Sequence, residues 1–146
     1  MGWNIVSGPE VGYWVTQHTD GVYHPDVSSA IGLVRDDEMM AGVIYENWNH
    51  QSVVVHIAWK RLTPAYLGAI FDYAYNVCDV HKIIGPINSS NTKALNLVKK
   101  LGFTEEARIK DAAPNGDIVI MTQTRDACRF LGERYGQKFT KATGNA

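Results

Sequence analysis

Cysteine is almost missing from this chain of 146 residues, which has only Cys78 and Cys128. Neither falls in a C-x-x-C pair or in the Cys and His spacing that a zinc or redox site needs, so both read as buried free thiols and no metal site is expected. A disulfide staple is unnecessary as well, because a chain of this length buries about two thirds of its unfolded surface around one core. An excess of either charge is also absent. Lys plus Arg number 14 against 15 Asp plus Glu, a net charge of -1 that leaves no basic footprint and disfavours a nucleic-acid partner. No apolar run approaches the roughly 18 residues of a membrane span, and the first residues lack the positive, apolar and small-residue zones of a secretory signal. Met1-Gly2 opens like a myristoylation signal, but Val6 stands where that pattern wants Ser or Thr. These absences lead to the expectation of a soluble, cytoplasmic protein with no membrane partner.

Internal repeats and linkers rich in Pro, Gly or Ser are lacking too. One domain over residues 1–135 is expected, with "GQKFTKATGNA", Gly136 to Ala146, as a fraying tail.

What is present is a sequence of short, well-marked elements. A strand is predicted near Asn4 to Val6, then a helix whose first turn suits Pro9, with Ser7 or Gly8 as its cap. From Ser28 to Trp59, three apolar runs separated by "RDDE" and "NWNHQ" read as an antiparallel meander. The third run, Val53 to Trp59, is apolar at both parities apart from His56, which places it at the sheet centre with both faces covered. In "TPAYLGAIFDYAYNVCDV", Thr63 can cap, Pro64 suits the first helical position, and Leu67, Ile70, Phe71, Ala74 and Val77 recur at helical spacing. "HKIIGPI" supplies a short buried strand. A helix with Ala94, Leu97, Val98 and Leu101 on one face follows, stopped by Gly102. "FTEEARIKD" and "DIVIMTQT" flank "APNG", a hairpin signal, and Arg125 to Tyr135 reads as a closing helix. The fold class is therefore α/β (α+β): a mixed, largely antiparallel central sheet with helices on both faces.

The mouth of the helix after "HKIIGPI" is "NSSN", Asn88 to Asn91, where one capping side chain would suffice. Four candidates for one role leave two readings, redundant capping or a ligand contact.

The stretch from Ala65 to Ala107, "AYLGAIFDYAYNVCDVHKIIGPINSSNTKALNLVKKLGFTEEA", resembles the GNAT superfamily of acyl-CoA N-acyltransferases, especially the branch that acetylates ribosomal-protein N-termini. Asp72-Tyr73-Ala74-Tyr75, His81-Lys82-Ile83 and Asn91 through Phe103 carry the likeness in order and spacing. "KDAAPNGDIVIM" is also similar to the small acetyltransferase-like proteins of bacteriophages. The resemblance implies the GNAT fold and transfer of an acetyl group from acetyl-CoA to a primary amine of a protein or small molecule. The amine attacks directly, with no covalent enzyme intermediate. A homodimer is among the assemblies it allows. A catalytically silent GNAT-fold binding or virion protein is the alternative.

One departure bears on the cofactor. The family places Q/R-x-x-G-x-G/A between the central strand and the following helix, because glycines let backbone amides approach the CoA pyrophosphate. Here Arg61 and Thr63 stand at the glycine positions. Either Lys60, Arg61, Thr63 and the helix starting at Pro64 hold the anion by charge and dipole, or Lys60 and Arg61 are solvated and Thr63 is only a cap. Carried over from the family, the backbone donor to the thioester carbonyl falls around Ile57, Ala58 and Trp59, and Asn91 falls on the asparagine that helps hold the CoA arm. Many relatives use a tyrosine as general acid one turn before K-L-G-F. That position is Val98, which leaves Ser89, Ser90 or solvent to stabilise the thiolate.

For the base, His56 stands in an apolar strand where a polar side chain must find a partner, and imidazole as a type titrates near neutrality. Its other reading is a core histidine bonded to a carbonyl. Glu46, at the end of the preceding strand, can act through a water or be an exposed hairpin acid. Tyr13, Trp14 and Trp48 are candidates to line the acceptor site or simply to pack.

Overall fold

A computed structural model describes residues 2–131. Within them lies a seven-stranded sheet ordered β1-β2-β3-β4-β5-β7-β6. Its strands are β1 (Trp3–Ser7), β2 (Ser29–Arg35), β3 (Glu38–Glu46), β4 (Ser52–Trp59), β5 (Lys82–Asn88), β6 (Thr104–Ala113) and β7 (Gly116–Thr124). All neighbours run antiparallel except β4 and β5, whose parallel register covers Ser52 to Val54 against Lys82 to Ile84 and no further. The expected mixed sheet, its central fourth strand and the hairpin at "APNG" are all present; its loop is Pro114-Asn115, with Asn115 left-handed and Gly116 already the first residue of β7.

One face of the sheet carries α1 (Pro9–Thr16). Gly32 and Gly42 lie opposite each other in the β2–β3 register and form a trough that Val11 and Val15 fill. A Cβ on Gly42 would sit 2.6 Å from Cγ2 of Val15, so the helix can seat only where side chains are missing from the strands. Gly8 occupies the cap with no side-chain hydrogen bond, and Ser7, the other expected cap, is the last residue of β1.

The opposite face is covered by α2 (Pro64–Asp72) and α3 (Thr92–Lys100), over a core that includes Ile31, Val43, Ile70, Ile83, Val98 and Phe103. Thr63 caps α2 as expected, its Oγ1 accepting from the Tyr66 amide at 3.2 Å. The helical run beyond Asp72 widens into a π turn, Tyr73–Val77, in which the Cys78 amide donates to the Tyr73 carbonyl five residues back. Helical spacing of apolar residues does not separate these two windings. At the other end of the chain, the expected closing helix from Arg125 to Tyr135 is not formed where it can be seen. Arg125–Ala127 make a single 3-10 turn, and Cys128, reached in extended conformation, is buried beyond it rather than on a helix. The remainder of that segment, and the tail from Gly136, lie outside the described residues.

Buried tyrosines join the helices to the sheet. Tyr66 donates to the Ile31 carbonyl at 2.7 Å and Tyr45 to the Ile70 carbonyl at 2.8 Å. The Tyr75 hydroxyl lies against both oxygens of Gln123, whose Nε2 donates 2.7 Å to the Leu101 carbonyl at the end of α3. Gly102 ends α3 in the left-handed conformation, with the Phe103 amide returning to Val98.

Burial raises the phenol pKa of Tyr45, Tyr66, Tyr73 and Tyr75 above the usual 10.0, that of Tyr73 to about 12. An acid whose folded pKa is raised leaves stability intact below its unfolded value and withdraws it above that value. Urea unfolding midpoints are therefore expected to hold steady up to about pH 10 as far as these groups are concerned, and to fall as pH rises from 10.0 toward 12. Gly42→Val should overpack the α1 trough and cost about 1–3 kcal/mol in the same measurement.

Candidate active site

The site begins with the parting of β4 and β5. The Lys60 amide donates to the Met40 carbonyl at 2.6 Å, and hydrogen-bonded pairs recur at every second residue of an antiparallel ladder. Ala58 and His56 therefore spend their backbone groups on β3, while Val55 and Ile57 turn theirs toward β5. On the other side, the Ser89 amide donates to the Asp117 carbonyl at 2.8 Å, which by the same alternation commits Ile87 and Gly85 to β7 and turns Pro86 toward β4. The next rung after Ile84 would need an amide from residue 86 for the Val55 carbonyl. Proline has none. The strands separate there, leaving a cleft of about 280 Å³ between Val55–Ile57 and Gly85–Asn88.

The cleft is walled from both faces of the sheet: Thr19, Asp20 and His56 from the α1 side, and Ala94, Val98 and Phe103 from the α3 side. Ala112, Ala113 and Pro114 of the β6–β7 hairpin close one end. "NSSN" holds that end in place. Asn88 Nδ2 donates to the Pro114 carbonyl at 2.9 Å, Ser89 Oγ accepts from the Asp117 amide at 2.9 Å, and Ser90 is bonded through its amide and hydroxyl to Asn88 Oδ1. Only Asn91 caps α3, its Oδ1 accepting from the Ala94 amide at 3.1 Å. The surplus polarity therefore ties the hairpin to the helix mouth. Asn91 lines the cleft with its Nδ2 left as a donor, whereas Ser89 is committed to that tie and Ser90 is exposed beside it.

His56 and Glu46 do meet. Alternation along β3 and β4 puts them on the α1 face, where His56 Nε2 lies 2.7 Å from Glu46 Oε2 with both side chains less than a fifth exposed. A carboxylate only accepts, so Nε2 carries the proton in this contact, and in the neutral ring Nδ1 holds the lone pair. The partner of His56 is thus a carboxylate rather than the backbone carbonyl of its other reading, and Glu46 is not the exposed hairpin acid of its own. The turn after α1 closes on the imidazole: Thr19 Oγ1 donates to the Val15 carbonyl and accepts from the Gly21 amide, and a Cβ on Gly21 would stand 2.8 Å from His56 Cγ. Gly21 is required by that approach and was not anticipated, because the contact joins a loop to a distant strand.

The remaining expected residues are dispersed. Ile57 lines the cleft, Ala58 is buried beneath α1, and Trp59 packs on the opposite face under the Lys93 ammonium, 5.0 Å from its ring centre. The Lys60 and Arg61 amides both go to the Met40 carbonyl, and Lys60 Nζ pairs with Glu38 at 3.1 Å. Thr63 is spent on its cap. Tyr13, Trp14 and Trp48 lie outside the cleft. Tyr13 is edge-on to Tyr23, Trp14 stacks near His18, and Trp48 donates to the Cys78 carbonyl.

A seven-stranded mixed sheet opened between parallel β4 and β5, with helices on both faces, has close counterparts among solved structures. A chimera of Vibrio cholerae spermidine N-acetyltransferase SpeG and hSSAT superposes with TM-score 0.69 at 14% identity, over 90% of this chain and 100% of that one. This chain has the GNAT N-acetyltransferase fold. Vibrio cholerae SpeG in complex with CoA and spermine matches at TM-score 0.65 and 14% identity, over 86% and 96% of the two chains. Campylobacter jejuni N-acetyltransferase PseH in complex with acetyl coenzyme A matches at 0.55 and 18%, over 68% and 69%. No protein-family model matches the sequence and no curated protein matches it by sequence comparison, so the likeness is one of structure.

In this GNAT fold the opening depends on one missing donor. Pro86→Ala supplies it, and the residue 86 amide is expected to be protected in hydrogen exchange by at least about tenfold, as a rung worth about 1.4 kcal/mol would give. An amide exchanging as freely as a loop would show that the strands part for another reason.

Proposed function

We propose that the chain is an acetyl-CoA-dependent N-acetyltransferase that passes the acetyl group to a primary amine by direct attack. The observation that carries this reading is a cleft opening to both faces of the sheet, with unpaired strand edge along one side and His56, backed by Glu46, on its wall. Two substrates can enter such a cleft from opposite faces and meet inside it. Its size, about 280 Å³, suits a small-molecule amine better than a folded protein surface.

When bound, acetyl-CoA supplies an activated thioester carbonyl and a thiolate able to leave. The Ile57 amide, turned into the cleft, is the chain's donor for a carbonyl oxygen, which narrows the expected stretch from Ile57 to Trp59 to one residue. Val55 and Ile57 offer strand edge to an extended amide-bearing arm, and Asn91 Nδ2 adds a donor near it. His56 Nδ1 takes the proton that the attacking amine must shed, while Glu46 holds the ring and balances the imidazolium. That proton is then available to the departing thiolate, a role Val98 cannot fill and for which Ser89 and Ser90 are badly placed. Both cysteines stand outside the cleft, which agrees with direct attack.

The pyrophosphate end fits less well than the arm. Lys60 and Arg61 have given their amides to Met40, so anion binding there falls to the open end of α2 and to the Arg61 and Lys93 side chains. That occupied loop favours a second reading, a catalytically silent GNAT-fold binding or virion protein. Calorimetric titration of acetyl-CoA into the purified protein, with acetyl transfer to a panel of amines, separates the two. Binding with turnover is expected, and His56→Ala should lower turnover by on the order of a hundredfold with little change in acetyl-CoA affinity. No binding at millimolar acetyl-CoA would sink the enzyme reading.

A further inference from the structure

We propose that Asp20 sets acceptor specificity, its carboxylate holding the second positive charge of a dicationic amine while the first amine reacts at His56. The proposal rests on the acetyltransferase reading and names its substrate class.

The charge of the cleft points to a cation. Among the described residues that line it, Asp20 and His56 are the only ionisable ones, and no lysine or arginine is present. The His56 imidazole is backed by the Glu46 carboxylate, which itself lies outside the lining, so Asp20 is the acidic group that faces the cleft, and no protein cation faces it there. Asp20 itself forms no ion pair and no side-chain hydrogen bond among the described residues. The other walls are mostly apolar: Val55, Ile57, Pro86, Ile87 and Ile118 can cover a methylene chain but cannot pay for a second buried ammonium.

Asp20 is also held in position. Thr19 Oγ1 bonds the Val15 carbonyl at 3.1 Å and the Gly21 amide at 3.0 Å, fixing the residues on both sides of Asp20 to the end of α1. Gly21 lies against the His56 ring, so the turn that carries the carboxylate also touches the base. A specificity charge fixed relative to the base selects acceptors by the distance between their two nitrogens. The carboxylate is exposed, so its effect on a ligand is moderate and screened by salt.

The test compares kcat/KM for putrescine and for n-butylamine, which match in chain length and differ in the second ammonium, with acetyl-CoA binding measured on the same preparations. Putrescine should be preferred on the order of tenfold at low salt, with the preference shrinking as salt is raised. Asp20→Asn should bring the ratio close to one and Asp20→Glu should restore part of it. Because the side chain is exposed, both variants are expected to fold. A ratio near one in the unsubstituted protein, or one that Asp20→Asn leaves unchanged, with both amines acetylated, overturns the role of Asp20 and leaves the acetyltransferase reading standing. Acetyl-CoA binding without acetylation of either amine also overturns the role of Asp20. Neither binding nor turnover overturns both.

Discussion

The site depends on one hydrogen bond that cannot form. β4 and β5 begin as ordinary parallel neighbours, and the ladder would continue if residue 86 carried an amide proton for the Val55 carbonyl. Proline at that position ends the pairing at Val54 and Ile84, while β5 remains held on its other edge by β7 as far as Asn88. The sheet therefore opens without coming apart. A strand that lost both neighbours would fray, but β4 is still bonded to β3 through Trp59, so the edge it exposes is rigid. Unpaired backbone groups on a fixed strand are costly in a core and useful in a cleft, where a ligand or water can satisfy them.

The rest of the molecule supports that opening from both faces. The glycine trough on β2 and β3 brings α1 close to the sheet, which places the Thr19–Gly21 turn over His56. On the other face, Tyr66 of α2 donates to a β2 carbonyl and Gln123 of β7 donates to the carbonyl of Leu101 at the end of α3, so Val98 of α3 and Phe103 just beyond it hold their place beside the cleft. The polar mouth of α3 fastens the β6–β7 hairpin across one end. Only the loop after β4 departs from this pattern. Its amides serve Met40 rather than pointing outward, and there the chain is least like an anion cradle.

Much of the fold was legible because it rests on local chemistry. Alternating apolar runs, the Thr63-Pro64 start, the Gly102 stop and the "APNG" hairpin turn each act within a few residues, and each stands where expected. Over its described residues, 125–131, the closing helix is replaced by a 3-10 turn because a polar, aromatic segment carries no strong period, and Cys128 and Phe130 are drawn into the core instead. The π turn escaped notice because apolar spacing does not distinguish it from an α-helix. The cleft did have a sequence signal, Gly85-Pro86 inside a strand, since a proline in a central strand must face a missing partner.

Residue chemistry by itself determined that His56 needs a polar partner, that "NSSN" holds more polarity than one cap requires, and that the chain folds around a mixed sheet. Tertiary structure decided what those groups do. Register along β3 and β4 pairs His56 with Glu46, the hairpin uses two of the four polar residues, Asn88 and Ser89, as a tie, and the turn after α1 brings Asp20 and Gly21 to His56. The reason is physical: burial and capping act along the chain, whereas partner choice for a buried polar group depends on strands distant in sequence that meet only in the fold.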